Sequence, residues 1–393
     1  MASNNSEPKS RQNTEKQLRT PKFNTKNRMN LNPFKNGLKS INAFFFFFLL
    51  FSMISLIKTQ DTPSYVSLRF NKEGQVQVLG ASFNDLLPNA IYINNVPIEG
   101  EISKTVTINN ATTETVKLEW RSKLTSCQSM FANIQEIIEI DLSQFDSSEV
   151  TDTSSMFDTC TFLNRINLNG FKTSSVKNMA AMFRSNERLL ELDVSQFDTS
   201  KVENMYQLFY NVKIITSLDV SSFNTAKVNN MQETFRALYQ IRSLDLSNFD
   251  TSNVVTMYAM FGYETILETL IITSFDTSKV QNFGYMFGYC YGLKTVNLSS
   301  FDTSSGMYFE GMFLSCANLE FIDITKFNTR NAFHLGSFFS GCEKLTSVNL
   351  NYMDTSNVQY MYSMFWNCQS LKLIDLSNFN TPRLLSMNSM FGN

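Results

Sequence analysis

Apolar positions along the chain follow one pattern that returns every 26 residues. Phe stands at 131, 157, 183, 209, 235, 261, 287, 313, 339, 365 and 391. A second register runs through Phe145, Phe171, Phe197, Phe223, Phe249, Phe275, Phe301, Phe327, Met353 and Phe379, and no insertion interrupts either series. Such regularity makes each unit one turn of a common coil that packs on its neighbours alone. Around Phe197, the residues Leu189, Leu192 and Val194 lie eight, five and three positions upstream. Leu192 and Val194 alternate about Asp193, which predicts a short strand with the two aliphatic side chains inward and the carboxylate outward. Asp198, Thr199 and Ser200 carry oxygens able to cap free backbone N–H groups. Val202, Met205, Leu208 and Phe209 then recur at the spacing of a short helix with one buried face. The expected fold class is therefore an α/β repeat solenoid of about ten strand-turn-helix units over residues 121–393.

Upstream the pattern changes. Between residues 61 and 120, short β-branched or alternating runs such as YVSLRF, QVQVLG, IYINNV and TVTINN are punctuated by Pro and Gly. They predict a small β-rich N-terminal cap over the first open face of the coil. Residues 43–57, AFFFFFLLFSMISLI, hold no charge. That run is shorter than the ~20 apolar residues of a usual span, so it reads as a signal anchor or a signal-peptide core. Residues 1–42 are polar, without an apolar period, and predict a disordered tail. That tail carries nine Lys and Arg against two acids, leaving 24 basic and 33 acidic residues in the remainder. The basic flank would stay cytoplasmic and the chain beyond it would be exported. The expectation is a single-pass protein on the outer side of the membrane, or a secreted one if the signal is cleaved.

The repeat resembles a known family. LDLSNFDTSNVVTMYAMFGY at 244–263 and IDLSNFNT at 374–381 look very like the 26-residue leucine-rich repeat of bacterial surface proteins, the BspA-like group, also found in mycoplasma lipoproteins and protists. The resemblance covers residues 127–393. It implies a right-handed leucine-rich-repeat-like coil displayed on a cell surface, with binding or adhesion as its role. This chain places Phe where many leucine-rich repeats place Asn, which predicts that Phe145 to Phe379 stack as a continuous spine. Replacing an interior ring such as Phe261 by Ala should cost ~3 to 5 kcal/mol.

Composition narrows the chemistry. Charged residues make up 17% of the chain and hydrophobic ones 43%, ample for a core. An acidic main body argues against nucleic acid as a partner. With His334 the single histidine, and no nucleophile beside a base, neither catalysis nor a metal or cofactor site is expected. Five cysteines, Cys160, Cys290, Cys316, Cys342 and Cys368, share one repeat position; stacked parallel side chains predict buried thiols rather than bridges.

Two sets of residues are candidates for binding. Asp193, Asp219 and Asp245 line the outward strand position on consecutive turns, where they could attract a cation or basic ligand or simply keep the face soluble. Tyr258, Tyr263, Tyr285, Tyr289 and Tyr291 crowd two neighbouring turns, and Tyr is favoured in recognition surfaces. The expected function is a non-enzymatic binding or adhesion module for an extracellular protein or glycan, held to the membrane through 43–57. The alternative is a self-associating surface coat or scaffold. The last turn stops in mid-unit at 391–393 without a polar cap, which reads as a truncated chain whose open end would promote self-association.

Overall fold

The computed structural model describes residues 62–392. The expectations for 1–42 and 43–57 lie outside these residues. These described residues belong to one compact unit. In chain order its strands are β1 Ser64–Phe70, β2 Gly74–Gln77, β3 Ala90–Ile93, β4 Val96–Pro97, β5 Thr105–Ile108, β6 Val116–Trp120, β7 Ile137–Gln144, β8 Arg165–Asn167, β9 Ser243–Asp245 and β10 Thr269–Ile271. One six-stranded sheet runs β4-β3-β6-β1-β7-β8, with β2 and β5 paired beside it and β9 and β10 paired farther along.

The first strands close one end of the coil. β1 alternates buried and half-buried residues and pairs antiparallel with both β6 and β7, so the N-terminal sheet continues directly into the first turn. Trp120 is buried, donates its indole N–H to the Leu86 carbonyl at 2.9 Å and sets its ring edge-on to Phe145 at 5.8 Å. Asp85 accepts the N–H groups of Thr125 and Ser126 at 3.0 and 2.7 Å. Gly80 lets two backbones touch: a Cβ there would lie 2.2 Å from the Ser129 carbonyl oxygen.

Beyond the first turn the chain coils with a 26-residue period and contains no helix among the described residues. This corrects the α/β reading of strand-turn-helix units. Isolated parallel bridges join Ser126, Asp152, Asn178, Asn204, Asn230, Thr256, Asn282, Tyr308, His334, Tyr360 and Ser386, each to the next. In the segment read as a helix, the N–H groups of Met205, Gln207, Phe209 and Asn211 bond to the carbonyls of Asn230, Gln232, Thr234 and Arg236 one turn on, at 2.9–3.0 Å. A helix would spend those donors internally. Gln207 and Asn211 instead take φ of 54° and 60°, the left-handed region that ends a helix. The segment is a run of overlapping tight turns, with Leu208 N–H bonded to the Met205 carbonyl and Tyr210 N–H to that of Gln207. Val202, Met205, Leu208 and Phe209 are nonetheless all buried. Successive tight turns return a side chain inward at nearly helical spacing, so the buried face is as expected and the backbone is not.

Corners are set by short polar side chains. Asn204 accepts the N–H of Tyr206, Asp193 that of Ser195 and Asp198 that of Ser200, each at 3.0 Å. One unit thus carries three side-chain-closed corners. Inside, the continuous aromatic column is the Phe131 series, whose ten successive ring pairs from Phe131 to Phe391 stack at 5.3–6.0 Å. The Phe145 series, expected to be the spine, stacks in separate pairs such as Phe145–Phe171, Phe223–Phe249 and Phe275–Phe301.

All six cysteines are free. The thiols of Cys160, Cys290, Cys316, Cys342 and Cys368 each donate to a Phe carbonyl at 3.0–3.1 Å. Among the described residues no helix is long and apolar enough to cross a membrane. The single-pass anchored placement is therefore not retained.

Candidate ligand-binding face

Asp193, Asp219 and Asp245 are exposed on the strand side, and the first two line an open groove of about 770 Å³ together with Arg165, Glu191 and Gln196. Each carboxylate closes its own corner by accepting the N–H two residues on, from Ser195, Ser221 and Ser247, at 2.9–3.0 Å. Hydrogen bonds from these serines hold the three acids below the usual carboxylate range. They are anionic, and each spends part of its accepting capacity on its own corner. Among the described residues no group of three or more His, Cys, Asp or Glu is placed to hold a metal ion.

The tyrosines lie on the side built from tight turns, and the structure gathers them into two contacts. Tyr263 stacks on Tyr289 at 4.3 Å, and Tyr291 meets Tyr289 edge-on at 6.2 Å. The Arg236 guanidinium covers the Tyr263 ring at 4.8 Å. Tyr258 meets Tyr285 edge-on at 5.7 Å. Tyr263, Tyr285 and Tyr289 all adopt left-handed backbone, with φ of 66°, 54° and 64°. Elsewhere these two repeat positions carry mostly Ser, Asn, Ala or Gly, side chains that tolerate this region better. A bulky ring there is an outlier whose cost the surrounding fold must bear.

Three further residues complete this face and escaped the sequence reading. Glu310 accepts the Tyr362 hydroxyl at 2.6 Å, and the Tyr285 hydroxyl faces the same carboxylate. His334 lies 3.9 Å from Glu310 and edge-on to Tyr362 at 5.4 Å. Burial, with the Glu310 bond adding to it, pushes the Tyr362 hydroxyl up to about 12. Burial likewise raises Tyr285, and depresses His334 against the opposing pull of Glu310. His334 sits half-buried against this cluster. The missed signal was periodic: Tyr258, Glu310 and Tyr362 share one register, with Gly284 and Gly336 between them.

Upstream turns fill the same side with ions rather than rings. Arg184 pairs with Asp158 and donates to Gln207 at 3.0 Å, Gln207 donates to Glu233 at 2.9 Å, and Arg236 pairs with Glu233 at 3.1 Å. The tight-turn side therefore passes from a closed ionic network into a tyrosine surface.

A family model described as "Mycoplasma protein of unknown function, DUF285" matches residues 125–244, 235–321 and 296–393. The chain belongs to that family, and the matched segments span the coil. No curated protein and no solved structure matches the chain.

Proposed function

We propose that this chain is a non-enzymatic recognition module of the BspA-like kind, secreted, which binds an extracellular protein or glycan through its tyrosine face. The observation that carries the reading is the left-handed backbone of Tyr263, Tyr285 and Tyr289. Strain retained at neighbouring surface positions, where small residues would fold at lower cost, is the mark of a functional surface. The rings supply large, rigid contact area with few rotatable bonds. Repetition along a stiff coil lets several weak contacts act together.

The test is retention of the purified full chain on a panel of immobilised cell-surface glycoproteins, comparing wild type with a Tyr263→Ser, Tyr289→Ser double variant. The variant should melt no lower than wild type and lose about tenfold or more in affinity. Equal retention of the two proteins would remove the tyrosine face from the function.

A further inference from the structure

We propose that Tyr285, Glu310 and Tyr362 form a glycan-binding platform whose ligand is a neutral, hydroxyl-rich sugar. This rests on the reading above and names its ligand class. The argument begins with glycines. A Cβ at Gly336 would lie 2.8 Å from Cζ of Tyr362, and one at Gly311 would lie 2.7 Å from Cε1 of Tyr285. Both phenol rings therefore lie across bare backbone, which only hydrogen at those positions permits.

Between the rings sits one carboxylate. Glu310 takes the Tyr362 hydroxyl on Oε1 at 2.6 Å, while Oε2 lies 3.9 Å from His334 Nε2. The Glu310 side chain remains 32% exposed, and among the described residues no lysine or arginine pairs with it. A carboxylate can accept about four hydrogen bonds, so acceptor sites remain beside the rings. Such a surface offers an apolar seat for the C–H face of a sugar and a charged acceptor for its hydroxyls.

A basic peptide would also favour rings and a carboxylate. The phenol donors leave Glu310 its charge and occupy only part of its accepting capacity. The sites that remain lie beside the rings, where neutral hydroxyls can reach them while the sugar's C–H face lies on a ring, and the hexalysine probe below reads the basic alternative.

The experiment uses the full chain and a panel of neutral hexasaccharides, namely β-1,4-glucan, mannan, chitin and galactan oligomers, with hexalysine as the basic probe. Saturation-transfer NMR with irradiation of the aromatic protons should pass magnetisation to at least one sugar. Glu310→Gln and Tyr362→Leu should each weaken that sugar by about tenfold or more. The wild-type transfer signal needs no variant to fold. Absence of transfer to every sugar at about 1 mM overturns the platform, as does unchanged affinity in folded Glu310→Gln. Binding of hexalysine alone, lost at about 0.5 M salt, overturns it in favour of a basic ligand. If Tyr263→Ser, Tyr289→Ser still abolishes glycoprotein retention while no sugar binds, the recognition reading stands and the glycan assignment falls.

Discussion

The Thr199 hydroxyl donates to the Asn224 carbonyl at 2.9 Å and accepts the Asn224 N–H at 2.7 Å, so one buried side chain satisfies both backbone groups of a residue in the next turn. The same two-way bond joins Thr173 to Asp198, Thr303 to Asn328 and Thr355 to Asn380. Thr199 is 1% exposed, so water cannot replace it. Thr199→Val keeps the shape and strands two buried polar groups, at an expected cost of about 1–3 kcal/mol. Thr199→Ser should cost much less. The denaturation midpoint at constant m-value reads the difference. Equal losses would mean that the methyl group, not the hydroxyl, holds the turns together.

Strain can be relieved at one position without touching the ligand face. Thr159 is β-branched and sits at φ 59°, while Asn133, Asn211 and Asn367 occupy its repeat position at φ 62°, 60° and 56°. A left-handed residue with a branched Cβ costs about 1–2 kcal/mol, and Asn tolerates that region. Thr159→Asn should therefore raise stability by about 1 kcal/mol, less whatever the part-buried Thr159–Asp158 bond contributed. Tyr289→Asn should relieve strain at the equivalent position too, but weaken glycoprotein retention, the exchange of stability against function expected of a binding surface. Calorimetric melting of both variants, with the retention assay alongside, checks the pair. A lower melting temperature for Thr159→Asn would show that the branched residue is not strained there.

The buried face was legible because it depends only on period. Leu192, Val194, Phe197, Val202, Met205 and Phe209 are all buried, as their spacing required. What the backbone does between them was not legible, since overlapping tight turns and a helix share an apolar recurrence near every third residue. Only Ser, Asn, Ala and Gly recurring two places either side of the Phe131 series marked the left-handed corners. The tyrosine contacts were visible as crowding in two turns, whereas Glu310 and Tyr362 lie 52 residues apart in turns that are not adjacent. Their pairing depends on Gly336 leaving room for a ring to lean back, a relation that no local window contains.

Glu264 offers a pH test that separates one buried acid from the many exposed ones. It occupies the repeat position filled downstream by Cys290, is 2% exposed and accepts the Leu238 N–H at 2.7 Å. Burial holds its carboxyl well above the usual range. A folded-state pKa raised above the unfolded one contributes stability that is complete below the unfolded value and lost as pH rises through the folded value. The corner acids act in the opposite sense. Asp193, Asp198, Asp219, Asp250 and Asp276 are depressed by their serine partners, so their contribution is lost as pH falls below the ordinary Asp value of about 3.8. Glu264→Gln keeps an acceptor for the Leu238 N–H and removes the ionisation. Its advantage over wild type should be smallest near pH 4 and grow from about pH 4.5 upward toward neutrality. Measuring the difference between the two proteins across pH cancels the corner acids, which both retain. A difference that stays flat from pH 4 to 8 would mean that Glu264 finds solvent or a counter-charge when it ionises, and that the coil opens locally at that turn.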